Sequence, residues 1–206
     1  KLLYLSSPNS ISGQHLEKDQ FEKFLNTYPD NVPILIDQSH IEFSKPNKDT
    51  IDLLKYLDKN LMVMRSLNHF YGFENLELTF IVSDIEIANV LQNTQIMDMP
   101  LNRFNEDIAR IAILDKRYND FVRNNIETEK KRLYKIFRQN GIDYFLSEVN
   151  YILIKTSKSK AQIKKDLEKD KIILYASNDI YHDYWVLPIM DKKTNNKVLK
   201  VIIDDL

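Results

Sequence analysis

The first half of the chain alternates short apolar runs with segments in which apolar residues recur every three or four positions. Short apolar runs predict buried strands, and the three-and-four spacing predicts helices with one apolar face. The predicted strands are 2–5, 32–36, 61–64 and 76–82, and the predicted helices are 18–25 and 51–57, the latter with Thr50 as its N-cap. Strands that alternate with helices indicate βαβ units and a mostly parallel sheet covered by helices.

The second half of the chain has a different pattern, dominated by one long helical segment. Residues 105–113 and 118–139 have helical spacing, and Gly141 is a typical helix stop. The shorter elements predicted after it are strands at 150–154, 172–175, 185–187 and 198–203 and a charged helix at 160–167. This mixture predicts a small α+β domain. We place the boundary near residue 115, which gives expected domains of 1–115 and 116–206.

The composition is that of a chain that can bury a hydrophobic core and that has almost no net charge. Hydrophobic residues make up 43% and charged residues 29%, the net charge is -1, and there is no cysteine. Binding to a nucleic acid or to an anionic membrane requires an excess of basic residues, which this chain lacks. No apolar run approaches the roughly 20 residues of a membrane-spanning helix. We therefore expect a cytoplasmic chain with neither partner, no disulfide and no thiolate metal site.

Two further features concern the front of the chain. It begins at Lys1, directly before an apolar run, and it contains only 3 glycines. Phosphate-binding loops rely on glycine for close backbone approach. We therefore expect that the chain is a fragment of a longer protein. Its low glycine content does not favour a phosphate-binding loop within the chain itself.

Five short motifs follow one another along the chain. Residues 8–13 read PNSISG, 36–43 IDQSHIEF, 64–72 MRSLNHFYG, 72–80 GFENLELTF, and 129–133 with 147–153 EKKRL and SEVNYIL. In order, they resemble the PNNPTG, DEAYxEF, RTxSKxYG, GLxGLRxGY and ERxRL…SxANFxL stretches of fold-type I, pyridoxal-phosphate-dependent aminotransferases. The histidinol-phosphate aminotransferases and threonine-phosphate decarboxylases are the most similar branches. Each motif alone is weak, but five in this order are specific.

The resemblance implies an α/β fold: a large domain with a mostly parallel sheet, whose N-terminal part is missing, and a small C-terminal α+β domain. It also implies pyridoxal phosphate or pyridoxamine phosphate as cofactor, and a homodimer to which the long helix contributes. A lysine of this family forms a Schiff base with the cofactor aldehyde and moves the proton during transamination.

The residue at the lysine position is His69, and imidazole forms no stable internal aldimine. The neighbouring serine that contacts the cofactor phosphate is replaced by Asn68, and the phosphate-binding arginine by Glu77. A unit charge pair 4 Å apart interacts by about 4 kcal/mol at an effective dielectric of about 20, so reversing its sign opposes phosphate binding strongly.

At the remaining positions of the resemblance, one family residue is retained and others are replaced. Asp37 keeps the carboxylate that would pair with the pyridinium nitrogen, although a strand-end aspartate also caps turns. Asn9 and Ser10 lie in the loop that contacts the ring hydroxyl, and His40 replaces the tyrosine of DEAY. Lys200 aligns with the arginine that binds the substrate carboxylate in the family. A lysine keeps the positive charge but cannot form the two parallel hydrogen bonds of a guanidinium.

Three functions therefore stay open. The first is a family member that no longer transaminates. The second is an active enzyme, either one that uses His69 as a base with pyridoxamine phosphate, as some relatives with histidine at this position do, or one completed by a segment that the chain lacks. The third is a module that binds another small molecule. A metal site of His40, His69 and Asp37 or Glu42 has no support from spacing, so no metal is predicted.

Overall fold

The computed structural model describes residues 1–44, 52–76, 78–94, 102–156, 158–173 and 184–203. They form two compact units. The first consists of residues 1–10 and 14–120, and the second of residues 11–13 and 121–206.

The first unit is built on a four-stranded sheet. Its strands are β1 (Leu3–Ser6), β2 (Ile34–Asp37), β3 (Leu61–Ser66) and β4 (Thr79–Val82), in that spatial order. The first three are parallel, and β4 is antiparallel to β3. Parallel strands end at one edge of a sheet, so the residues that follow β1, β2 and β3 come together there.

Helices and single turns complete the first unit. They are α1 (Lys18–Leu25), α2 (Asn68–Tyr71), α3 (Ile85–Asn93) and α4 (Arg103–Leu114), with 3-10 turns at Ile41–Phe43, Leu53–Lys59 and Glu74–Leu76. The main core packs Phe21 of α1 and Leu53 against Ile34, Ile36 and Val63 of the sheet. A smaller cluster joins Leu67, Leu78 and Ala109.

The second unit contains most of the long helix α5 (Lys116–Gln139), which begins in the first unit. An antiparallel pair of strands follows, β5 (Tyr151–Lys155) and β6 (Tyr184–Pro188). Helix α6 (Lys160–Lys169) lies between them in the chain, and α7 (Lys192–Ile202) comes after β6. The helices bury their apolar faces on the strand pair, and the fully buried side chains include Leu133, Phe137, Ile152, Ile163, Leu187 and Leu199.

Several sequence predictions were wrong. Residues 198–202 of the predicted strand 198–203 belong to helix α7. The Asp191 carboxylate caps this helix, and Val198, Leu199 and Ile202 form its buried face. The predicted strand 76–82 is shorter and begins at residue 79. Helix α3 was not predicted at all. The predicted helix 51–57 is a 3-10 turn over 53–59, while Thr50 lies outside the described residues.

The predicted strand 172–175 lies partly outside the described residues. Residues 172 and 173 have no regular structure, and 174–175 lie outside the described part of the chain. The α/β class itself is confirmed. None of the helices that the structure describes is long and apolar enough to cross a membrane.

Candidate active site

The candidate site lies in the first unit, at the edge where the parallel strands end. Asp37 is the last residue of β2. Its Oδ1 accepts a hydrogen bond from the Ser39 backbone N–H at 2.7 Å, and its Oδ2 accepts one from the Tyr4 hydroxyl at 2.5 Å. The bond to Asp37, with some burial, raises the pKa of Tyr4 to about 12. Both oxygens of this carboxylate are therefore engaged within the chain.

Two histidines meet beside Asp37. The His40 and His69 rings are stacked, with centroids 4.5 Å apart and planes 13° from parallel. Burial, and then the neighbouring His69, lower the pKa of His40 to about 4, against an opposing effect of the Asp37 charge. His40 is therefore neutral at pH 7.

The exposed member of the pair is His69. Its side chain is 41% exposed, and its Nδ1 lies 3.5 Å from Glu74 Oε1 in the turn after α2. A carboxylate in this position orients an imidazole ring. His69 is therefore the ring of the pair that can exchange protons with solvent.

An ion pair and two phenylalanines support the histidines. Arg65 Nη1 lies 2.9 Å from Glu42 Oε1, and both side chains are largely shielded from solvent. The buried Phe43 ring lies 6.2 Å from His40 and contacts Phe70 edge-on at 5.2 Å. This aromatic floor fixes the His40 ring, and the ion pair ties the turn at 41–43 to β3.

Asn68 has a clear structural contact. Its Oδ1 accepts a hydrogen bond from the Leu78 backbone N–H at 2.8 Å, and the Leu67 N–H donates to the Leu78 carbonyl at 2.8 Å. These bonds close the loop between β3 and β4. The amide oxygen of Asn68 therefore stabilises the backbone of this loop.

The loop after β1 is organised by Ser6. Its hydroxyl donates to the Pro8 carbonyl at 2.9 Å and accepts from the Ser10 N–H at 3.1 Å. The Asn9 N–H donates to the Gln14 carbonyl at 2.7 Å. Asn9 is partly buried and the Ser10 side chain is exposed. Their contacts with a cofactor ring remain predictions.

Lys200 lies on α7 in the second unit, on a helix and not on the predicted strand. Together with Lys192, Lys193 and Lys197, it lines a shallow groove of about 480 Å³ along that helix. Its role toward a substrate carboxylate stays a prediction. Glu77 lies outside the described residues.

A metal centre finds no support. Within the described ranges, no three or more His, Cys, Asp or Glu side chains are arranged to hold a metal ion. The stacked His40 and His69 rings also face each other rather than converge on one point.

The family assignment rests on the sequence as a whole. The profile of the family described as "Aminotransferase class I and II" matches residues 1–186. The chain belongs to this aminotransferase family.

Curated relatives of this aminotransferase-family chain include two named "Histidinol-phosphate aminotransferase 2". That of Carboxydothermus hydrogenoformans is 27% identical over 100% of this chain and 58% of its own length. That of Haemophilus influenzae is 30% identical over 84% of this chain and 48% of its own length. The aminotransferase-family chain thus spans about half the length of these relatives.

Solved structures show the same fold. The histidinol-phosphate aminotransferase of Clostridium acetobutylicum superposes with a TM-score of 0.86 at 22% identity, covering 98% of this chain and 62% of that one. A second structure, from Sinorhizobium meliloti and described as a complex with pyridoxal-5'-phosphate, gives 0.82 at 18% identity, with 97% and 56% covered. The resemblance and the fold class inferred from the five motifs are therefore confirmed.

Sequence reasoning missed two residues of the candidate site, Tyr4 and Glu74. The signal for Tyr4 was available. It pairs with Leu35, two residues before Asp37, and side chains two apart on a strand share a face. Glu74 follows α2 closely, but its approach to His69 depends on a turn at Gly72 with φ +72°.

Proposed function

We propose that this chain is a histidinol-phosphate aminotransferase-like family member that does not transaminate, because His69 stands at the position of the Schiff-base lysine. The observation that carries the proposal is the lysine pattern. No lysine occurs between Lys59 and Lys116, so none near this position could substitute for His69. An imidazole has no primary amine and forms no stable imine with an aldehyde.

The surrounding residues support the same conclusion. His40 stacks on His69 and offers a neutral imidazole where the resemblance expects a phenol. Asp37 already accepts hydrogen bonds from Tyr4 and from the Ser39 backbone. A pyridinium N–H approaching the carboxylate competes with these donors. The residues present therefore do not fit a covalently held pyridoxal phosphate, and no catalytic step is assigned to one.

One observation favours a second candidate. His69 is 41% exposed and lies 3.5 Å from the Glu74 carboxylate, an arrangement suited to a general base. In that alternative, pyridoxamine phosphate binds without a covalent bond and His69 moves a proton. The reversed charge at Glu77 argues against its phosphate. A module for another small molecule, or an enzyme completed by a further segment, uses the same residues.

The partners are also proposals. We expect a cytoplasmic homodimer without nucleic-acid or membrane partner, in keeping with the net charge of -1. Exposed Tyr118 and Phe121 on α5, at 49% and 61%, are candidate dimer contacts. Light scattering coupled to size exclusion gives the oligomeric state directly.

The deciding experiment mixes the chain with pyridoxal phosphate, records the absorbance spectrum, reduces with borohydride and measures the intact mass. We expect no imine band and no stoichiometric adduct at a single lysine. The matched variant His69→Lys places an amine at the family position and is expected to gain a mapped adduct. A one-to-one adduct on a lysine of the unmodified chain would refute the proposal.

Pyridoxamine phosphate separates the two candidates. A ligand that binds only the folded state raises the unfolding temperature, and the shift grows with the ratio of free ligand concentration to Kd. No shift at millimolar pyridoxamine phosphate is expected for a chain without a cofactor site. A shift that grows with the concentration of pyridoxamine phosphate, and that His69→Ala leaves in place, would favour the second candidate.

A further inference from the structure

Helix α7 carries a row of lysines on the side that faces away from the core of the second unit. The shallow groove of about 480 Å³ along this helix is lined by Lys192, Lys193, Asn196, Lys197 and Lys200, which together form the lysine face. The other side of α7 is buried in the core. No aspartate or glutamate occurs within Lys192–Ile202, so the lysines have no acidic neighbour on their own helix.

This arrangement of lysines opposes the stability of the helix. Lys192 and Lys193 lie in the first turn, where the helix dipole favours acidic side chains. Lys193 and Lys197 are four positions apart, a spacing at which like charges repel each other. The neighbouring helix α6 differs, since its Lys169 pairs with Asp166 at 2.7 Å. Side chains that oppose the local structure are expected at functional surfaces.

Two carboxylates next to the lysine face are already engaged. The Asp191 side chain caps the N-terminus of α7. Asp170 Oδ1 lies 3.0 Å from Lys197 Nζ. The ammonium groups of Lys193 and Lys200 form no ion pair or hydrogen bond with any residue that the structure describes. These two positive charges are therefore available to an anionic partner.

The net charge of the whole chain conceals an asymmetry between its two parts. Residues 121–206, which make up nearly all of the second unit, contain 17 lysines and arginines and 12 aspartates and glutamates. Residues 1–120 contain 12 and 18. The second unit thus has an excess of five positive charges, although the chain as a whole has a net charge of -1. Such an excess attracts anionic partners toward this unit.

The spacing of the lysines matches that of side chains on an extended peptide. Residues four apart on a helix are separated by about 6 Å along its axis, and Lys193 and Lys197 have this separation in sequence. Alternate side chains of an extended chain lie about 6.6 Å apart on one face. Acidic side chains at alternate positions can therefore follow the row of lysines. Asn196 lines the same groove and has both a donor and an acceptor for peptide groups.

We propose that the lysine face of α7 binds an extended acidic segment of a partner protein, with aspartate or glutamate at alternate positions. The lysine ammonium groups pair with the carboxylates, and the Asn196 amide hydrogen-bonds the main chain of the segment. Because the pairs are exposed to solvent, binding weakens as the salt concentration rises. The inference concerns a surface of the second unit and does not depend on the role of His69.

A nucleic acid fits the lysine face less well than an acidic peptide does. Among the described residues that line the groove, none is an arginine and none is aromatic. Arginine forks bind phosphates in a bidentate manner, and aromatic rings stack on the bases of single strands. Lysines beside one amide side chain instead suit carboxylates that alternate with peptide groups.

The test measures the binding of a short fluorescein-labelled peptide that alternates serine and glutamate, by fluorescence anisotropy with the full chain at low salt. A peptide that alternates serine and glutamine lacks the charge, and a peptide with the same glutamates in one block lacks the spacing. The double variant Lys193→Gln/Lys197→Gln removes two lysines of the lysine face. The matched variant Lys164→Gln/Lys165→Gln removes the same charge from exposed positions of α6.

We expect the alternating glutamate peptide to bind more tightly than both control peptides. The α7 variant should weaken its binding about tenfold, since each exposed ion pair contributes modestly. The α6 variant should change Kd less than twofold. The unfolding temperature of the α7 variant should not fall, because the substitution removes like charges that repel each other.

Absence of binding at low salt overturns the proposal, and so does an equal loss of affinity in the α6 and α7 variants. Equal affinity for the block peptide, or a lower unfolding temperature of the α7 variant, overturns it as well. Tighter binding of single-stranded oligothymidylate would assign the lysine face to a nucleic acid. Self-association in light scattering that the α7 variant abolishes would assign it to the acidic residues of a second copy. Either assignment replaces the proposal.

Discussion

The His40 ring lies flat against the His69 ring, with 4.5 Å between centroids, and His69 is the more exposed of the two. His40 sits between His69 and the Phe43 floor, whereas 41% of the His69 side chain is exposed. Two imidazoles in contact disfavour a second positive charge. The partly buried His40 ring therefore stays neutral at pH 7.

This arrangement predicts acid sensitivity at moderate pH. The pKa of His40 is lowered from its ordinary value of 6.5 to about 4 in the folded state. Between these two pH values the unfolded state therefore binds a proton at His40 that the folded state does not bind. Stability is therefore unaffected above about pH 6.5 and falls as the pH drops from there toward 4. Urea unfolding at pH 7.5, 6.0 and 5.0 measures the slope.

The groups that face His40 are His69, Asp37 and Phe43, so a control must keep the stack. His40→Phe retains an aromatic ring that cannot be protonated, and we expect it to flatten the dependence on pH between 7.5 and 5.0. An unchanged slope in this variant would assign the acid sensitivity to other groups.

A second prediction concerns the hydrogen bond between Tyr4 and Asp37. It raises the pKa of Tyr4 to about 12. The folded state then holds the phenolic proton longer than the unfolded state, so this contribution to stability is present below about pH 10 and is lost as the pH rises toward 12. In a spectrophotometric titration, the difference between the parent and Tyr4→Phe should show one phenol ionising near 12.

Asp37→Asn is the matched variant for this titration. It keeps an acceptor but removes the negative charge, so the pKa of Tyr4 should move back toward 10. A difference spectrum centred near 10 in the unmodified chain would mean that the hydroxyl does not donate to Asp37 in solution.

The sequence predicted the βαβ part of the fold because its signals were local and unambiguous. β2 and α1 have clean apolar periodicities, and both lie within two residues of their expected bounds. Helix α3 was missed because its apolar residues face no core; Ile85 is 72% and Val90 61% exposed. The apolar run 198–203 resembles a strand, and only the capping Asp191 marks it as helical.

The candidate site was predictable to the level of motif positions. Strand-end motifs placed Asp37, His40 and His69 at one edge of a parallel sheet, and the structure brings these three together. Tyr4 and Glu74 were missed because their contacts depend on strand register and on one turn, which no single motif encodes. Their contacts therefore do not follow from residue identity alone.

A third prediction tests the polar centre of the second unit. Asn195 is 1% exposed; its Nδ2 donates to Glu129 Oε1 at 2.8 Å and to the Met190 carbonyl at 2.9 Å. Asn195→Ala leaves these acceptors without the donor and should lower the free energy of unfolding by about 2–4 kcal/mol. The neighbouring Asn196→Ala, on the groove side of α7, should cost under about 0.5 kcal/mol. Equal costs in urea unfolding would contradict the role of Asn195.

The last prediction uses two glycines with nearly the same backbone conformation. Gly13 and Gly72 have φ of +71° and +72°, so alanine meets a similar left-handed strain at either position, about 1 kcal/mol. Their surroundings differ. A Cβ at Gly13 would lie 2.9 Å from Ser147 Cβ and 3.0 Å from Val149 Cγ2, and it would clash with the Ser147 hydroxyl. A Cβ at Gly72 would have no heavy atom of another described residue within 4 Å, apart from its chain neighbours.

Overpacking of this kind costs a further 1–3 kcal/mol or so, because the backbone beside residue 13 must shift. The Glu148 N–H also donates to the Gly13 carbonyl at 2.8 Å, which ties the same backbone to the Ser147 segment. Gly13→Ala should therefore destabilise the chain by at least about 1 kcal/mol more than Gly72→Ala in matched denaturant titrations. If the two variants unfold at the same midpoint, residues 11–13 do not pack against 147–149 in solution.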